Sequence, residues 1–219
     1  MTLHPFVHSL AALRFEHCFN PYSDRCEVHD LADAPRRRAA VLSAMLRNAT
    51  AGQVDSLWIG RDLGYRGGRR TGLALTDDVH LDHHVRRWGV RESRLTKGIP
   101  VAERTASVIW QILDQIEDRI FLWNVFPLHP YEPDDQFSNR AHNASERRAG
   151  EALLQMLVEL IRPKRLVAIG NDAASAARRV ATDGLPIIKV RHPSYGGQTE
   201  FIQQVTALYG VGVRQSDLF

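Results

Sequence analysis

Four short stretches of the chain, at 56–60, 120–126, 165–170 and 186–190, are apolar at consecutive rather than alternate positions, and each runs into glycine, proline or asparagine turn chemistry. Unbroken apolar runs of that length predict strands buried on both faces, which calls for a parallel sheet with helices on either side. Helical spacing fills the gaps. Val101, Thr105, Val108, Ile109, Ile112, Leu113 and Ile116 fall on one face of a helix over 100–118. A second amphipathic stretch covers 145–161, with Ser145 as expected N-cap and Arg148 where a capping-box acid would stand; 172–182 and 199–209 predict two more helices. The order is βαβαβαβα behind a helical N-terminal region of about 1–50, whose clearest helix is 36–49. The expected fold is α/β, a three-layer αβα sandwich on a central four-stranded, mainly parallel sheet. With no repeat, low-complexity tract or long linker, 1–219 is expected to be a single domain.

Composition supports a folded chain. Of 219 residues, 44% are hydrophobic and 24% charged, which excludes global disorder and leaves enough apolar surface for a substantial core. No apolar run approaches the roughly 18 residues of a membrane span. The opening Met1-Thr2-Leu3-His4-Pro5 has no basic segment followed by an apolar stretch and a cleavage site, so a cytoplasmic protein is expected, away from membranes and with a monomer as default. Cys18 and Cys26 are too few to ligate an iron-sulfur cluster and are expected as free thiols. Formal net charge is only +3, but of 28 basic residues three are lysine (Lys97, Lys164 and Lys189), leaving 25 arginines. Arginine's planar fork suits phosphate, and it clusters at 36–38, at Arg66 with Arg69 and Arg70, and at Arg86, Arg87, Arg91 and Arg94, though each cluster also reads as a solvated helix face.

In open parallel sheets, ligands bind beyond the carboxyl ends of the strands. There the first run continues as Gly60-Arg61-Asp62-Leu63-Gly64-Tyr65-Arg66-Gly67-Gly68-Arg69-Arg70-Thr71-Gly72, five glycines in thirteen residues, matching neither a dinucleotide fingerprint nor a P-loop. The second ends with Asn124 and Pro127-Leu128-His129-Pro130, the third with Gly170-Asn171-Asp172, the fourth with Arg191-His192-Pro193-Ser194-Tyr195-Gly196-Gly197. A carboxylate, a carboxamide and an imidazole thus share one rim with arginines nearby. That set suits hydrolysis of a bond to a heterocycle carried on a phosphate chain: the amide reads the base edge, the imidazole steadies the departing anion and the carboxylate orients water.

Over roughly 57–209 these residues resemble the uracil-DNA glycosylase superfamily. Gly60-Arg61-Asp62-Leu63-Gly64 looks like its first motif and His192-Pro193-Ser194 like its second, with Asn124 between them at a strand end. The resemblance implies that uracil-containing DNA is the partner, that deoxyuridine is flipped into the site, and that free uracil and an abasic site are the products. Asp62 would align water and stabilise the sugar cation, His192 would stabilise the uracil anion through O2, and Asn124 would read O4 and N3. No metal or cofactor is implied. Gly60, Arg61 and Gly64 would line the base site. Gly64 stands where the family carries a tyrosine that bars the thymine methyl, so that task is assigned to Tyr65, and Leu75 falls where a phenylalanine usually stacks on the base. Ser194, Tyr195, Gly196 and Gly197, with Arg66 and Arg191, are expected on DNA, with Tyr195 or Gln198 as the wedge replacing the flipped base; Arg69 and Arg70 are further phosphate candidates.

Two readings compete. Asp77-Asp78-Val79-His80-Leu81-Asp82-His83-His84 has residue types that ligate zinc or manganese, as a metal-dependent phosphoesterase or nuclease would need, although an exposed polar stretch is the plainer reading. The other is a non-catalytic DNA binder of the same fold. His129 is expected either to steady the site or to touch phosphate.

Overall fold

The four apolar runs are the four strands of one sheet. In a computed structural model, which describes residues 2–211, the elements follow in the order α1 (Pro5–Ala12), β1 (Cys18–Phe19), α2 (Ala34–Thr50), β2 (Ser56–Asp62), α3 (Gly68–Thr71), α4 (Leu81–Arg87), α5 (Arg104–Leu113), β3 (Ile120–Phe126), β4 (His129–Pro130), α6 (Ala144–Ile161), β5 (Leu166–Ile169), α7 (Asn171–Val180), β6 (Ile187–Val190) and α8 (Gln198–Tyr209). The sheet is parallel throughout, in spatial order β3-β2-β5-β6. From β2 the chain first moves outward to β3 and then returns to the other side of β2 for β5. The order therefore reverses beside β2, and the crevice beyond that strand's carboxyl end is the topological switch point.

Alternation along each strand divides the core in two. Leu57, Ile59, Phe121, Trp123, Leu166 and Ala168 face one layer, with α1, α2, α6 and α7. Trp58, Ile120, Leu122, Val167 and Ile169 face the other, built on α5 and α8. Helix α6 lies so close to β3 that a Cβ on Gly150 would fall onto the Val125 carbonyl. The N-terminal region is more than helical: β1 pairs antiparallel with β4, Cys18 opposite Pro130 and Phe19 opposite His129, tying it to the segment after β3. Both cysteines are free thiols.

The start of α6 departs from the expectation. Its N-cap is Asn143, not Ser145, and the capping-box acid is Glu146: the Asn143 side chain accepts from the Ser145 and Glu146 N–H groups while Glu146 accepts from the Asn143 N–H. Helix α5 is also shorter than the apolar spacing suggested, because Gln115 and Ile116 continue as turns. Among the described residues no helix is long and apolar enough to cross a membrane.

Candidate active site

Asp62 is the last residue of β2, and its side chain is almost wholly enclosed. Its Oδ1 accepts from His142 Nδ1 at 2.5 Å and its Oδ2 from Arg61 Nε at 2.8 Å. His142, invisible to the motif reading, comes from 80 residues further along and sits directly before the Asn143 cap, with its ring against Phe126. With Nδ1 donating to the carboxylate, Nε2 is the ring nitrogen turned away from it.

A cavity of about 730 Å³ opens over this rim, lined among others by Asp62, Gly64, Leu75, Glu103, His192 and Tyr195. The His192 Nδ1 accepts from the Ser194 N–H at 3.1 Å and is 2.7 Å from Ser194 Oγ. Burial, then the charges of Arg61 and Arg191, push the His192 pKa below its ordinary value. The ring is therefore neutral with its proton on Nε2, a fixed hydrogen-bond donor. The next turn is strained: Tyr195 has φ +50 and Gly196 φ +76, and a Cβ on Gly197 would collide with the His192 carbonyl. It leaves Tyr195 98% exposed and, among the described residues, the one aromatic ring apart from the imidazole on the cavity's lining.

Asn124 and Gly60 pair across the sheet and lie one layer behind that lining. Asn124 is 1% exposed, and among the described residues it is the only side chain with both polar atoms buried and unpartnered. A Cβ on Gly60 would come within 2.6 Å of Asn124 Oδ1 and 2.9 Å of Leu75 Cδ2, so Gly60 is the space in which amide and leucine meet. Leu75 has φ +55, a left-handed conformation unusual for a branched residue. Glu103, overlooked in the sequence, puts its carboxyl between Gly64 and Gly67.

Other expected residues are engaged elsewhere. Tyr65 is not on the lining; its hydroxyl accepts from Arg66 Nε at 2.7 Å. Arg66 and Arg191 are exposed, as DNA contacts would need, and Arg191 lines the cavity. Arg69 and Arg70 are buried instead: Arg69 stacks on Phe19 and Phe137, and Arg70 pairs with Asp78. His129 is fully buried, its Nε2 2.8 Å from the Ser138 carbonyl, so it steadies the loop and presents no surface to solvent. The 77–84 stretch is an exposed polar segment only in part, at Val79, Asp82 and His83. Asp77, Asp78 and His84 are buried, Asp77 accepting from the N–H groups of Val79, His80 and Glu103, Asp78 from Arg70 and Thr96, and His84 bonded to Thr76. Among the described residues no three His, Cys, Asp or Glu side chains converge to hold a metal ion. Alternating charge in sequence did not reveal that backbone donors turn these carboxylates inward.

Fold and rim together define a class, the α/β proteins that hold a ligand at the switch point of a parallel sheet. The family follows from comparison: a profile of the Uracil DNA glycosylase superfamily matches residues 59–205, and the chain belongs to that superfamily, a DNA glycosylase and thus a hydrolase of DNA repair. Among solved structures, Pedobacter heparinus SMUG2 is similar in fold, with a TM-score of 0.58 at 14% identity over 96% of this chain and 98% of that one. A mimivirus UNG variant in complex with UGI matches with a TM-score of 0.37 at 15% identity, over 73% of this chain and 64% of that one. No curated protein sequence is a significant match.

Proposed function

We propose that the protein flips deoxyuridine out of DNA and hydrolyses its N-glycosidic bond, releasing uracil and leaving an abasic site. The observation that carries this reading is Asn124. A buried carboxamide with both ends unpaired costs roughly 1–3 kcal/mol for each group left unsatisfied, and such a group persists where a ligand completes it. A carboxamide offers one donor face and one acceptor face, the complement of O4 and N3–H on uracil. Leu75 now lies against that amide; an incoming base would move it from the amide to the ring face, a change that the strained φ of Leu75 makes less costly.

With the base on Asn124, O2 points to the His192 end, where Nε2–H donates to the negative charge growing on the leaving uracil. The sugar becomes cationic as the bond stretches, and Asp62 stabilises it. Each Asp62 oxygen already holds one donor, from His142 and Arg61, and its remaining lone pairs orient the attacking water toward C1′. The water's proton passes to Asp62. Tyr195, presented on its strained turn, fills the gap left in the helix, while Gly196, Gly197, Ser194, Arg66 and Arg191 take the phosphates.

The test is a labelled duplex with one uracil, incubated with EDTA and then treated with alkali. Breakage at the uracil only after alkali, lost in Asp62→Ala, is expected. Intact strands with the wild-type protein would sink the reading, and breakage that needs added metal and no alkali would favour a phosphoesterase.

A further inference from the structure

A base held as above has three of its sides assigned. Its N3–O4 edge is on Asn124 from β3, its O2 faces His192 after β6, and N1 carries the sugar toward Asp62. The C5–C6 edge remains, and it faces away from β6, toward the loop that leaves β2. That wall is bare backbone at Gly64, with Gly67 behind it, and what fills the space between them is the Glu103 carboxyl. A Cβ on Gly64 would lie 2.7 Å from Glu103 Oε1, and one on Gly67 would overlap Oε2. Both glycines leave room for this one side chain, which reaches in from the start of α5 and lines the cavity. Among the described residues its carboxyl has no hydrogen-bond or ion-pair partner, whereas neighbouring Asp77 has four donors.

We propose that the Glu103 carboxyl is the pocket wall against the C5–C6 edge of the flipped base and sets the discrimination between uracil and thymine. The inference rests on the pyrimidine reading above. A 5-methyl group would have to displace the carboxyl or bury it against hydrocarbon, whereas the C5–H of uracil leaves it in place. The protonation state matters too, because an ionised carboxylate beside the base opposes the anion that forms on it. The charge acting on Glu103 is Asp77, itself bonded to His80, and the cavity that Glu103 lines also carries Arg61, Asp62, Arg140, Asp172, Lys189 and Arg191 with the His192 imidazole. Burial, then the Asp77 charge, raise the Glu103 pKa to about 7, so the acid is largely neutral at pH 6 and largely ionised at pH 8.

The experiment compares single-turnover cleavage of otherwise identical duplexes carrying uracil or thymine opposite guanine, for wild type, Glu103→Ala and Glu103→Gln, from pH 6 to 8. Glu103→Ala is expected to raise the thymine-to-uracil rate ratio at least tenfold by opening the wall. Glu103→Gln, similar in volume, should keep the wild-type ratio but lose the decline in uracil cleavage, about tenfold in the wild type, as pH rises from 6 to 8. A ratio in Glu103→Ala within threefold of wild type, or an alkaline decline that Glu103→Gln shares, overturns the inference while leaving uracil release intact. Should Glu103→Ala fail to fold, the pH profile of Glu103→Gln decides alone. A wild-type protein that releases no uracil overturns the underlying reading instead, so the two failures are distinguishable.

Discussion

Asp62 has two oxygens and two neighbouring donors, and the division of labour between those donors is open to test. His142 Nδ1–H fixes the carboxylate plane from a nearly enclosed position, while Arg61 is half exposed and reaches over to Asp172 at 3.8 Å. Exposed ion pairs contribute little, so Arg61→Ala should lower kcat only slightly, whereas His142→Ala should lower it by about tenfold and Asp62→Asn by about a hundredfold or more. Uracil-release kinetics on the three variants check the order; equal losses for Arg61→Ala and His142→Ala would show that charge rather than orientation matters. The rim position of Asp62 and His192 was legible in the sequence because each follows an apolar run, and a parallel sheet sends such ends to one side; Asn124, expected at a strand end, instead lies within β3, two residues before its last, and one layer behind the lining. His142 and Glu103 were not legible. Each reaches the rim from a segment that follows no strand, and its contact is set by how α6 and α5 dock rather than by local spacing. Arg69 misled for the converse reason: its charge is plain in sequence, but the Phe19 and Phe137 rings that enclose it come from two distant segments.

At the scale of elements, helix caps and close backbone contacts turn stability into site geometry. The capping box of Asn143 and Glu146 fixes the first turn of α6, and His142 is the residue just before it. Arg140 closes the same corner with a two-pronged pair to Glu146, at 2.8 and 2.7 Å. Asn143→Ala should cost about 1 kcal/mol of stability and also lower kcat severalfold through a looser His142. Asn143→Ser restores the cap and should recover both, as thermal melts and turnover measured on the same preparations would show. Gly150 acts on the other partner strand. Gly150→Ala would drive a methyl into the Val125 carbonyl, next to Asn124, and overpacking of that kind costs about 1–3 kcal/mol. The strands themselves were readable as unbroken apolar runs, and so were four helices, to within a few residues. The β1–β4 pair was not, since two residues per strand leave no periodicity to read. The cap of α6 was misread because Asn143, Ser145 and Glu146 all have capping chemistry and only backbone direction selects among them.

Across the whole molecule, buried titratable groups set how stability depends on pH, and they do not all pull the same way. His84 and His129 are held neutral by burial, His84 further by Arg87 and His83 and His129 further by Arg69, with pKa values lowered to about 3 and about 4. The unfolded chain takes up these protons near pH 6.5 and the folded one does not, so each histidine removes stability as pH falls through 6.5, by about 2 kcal/mol at pH 5. Burial lowers His192, His4 and His29 in the same direction. Glu103 opposes them. Its folded pKa lies above its unfolded one, so the native state gains protons first, and stability rises by about 2 kcal/mol between pH 7.5 and pH 5. Asp55, Asp77 and Glu146, whose pKa values are lowered, lose their contributions only below the ordinary carboxylate range and do not enter this window. The histidines outweigh the glutamate, and the wild-type Tm should fall by roughly 4 to 8 °C from pH 7.5 to 5, for a net loss of about 2 kcal/mol in a chain of this size. Glu103→Gln removes the opposing group and should steepen the fall to about twice that, while His84→Gln should flatten it. Melting curves of the three proteins at matched ionic strength test the balance. If Glu103→Gln follows the wild-type slope, the carboxyl is ionised in the folded protein at neutral pH, and no pH-dependent opposition to the departing base can come from it.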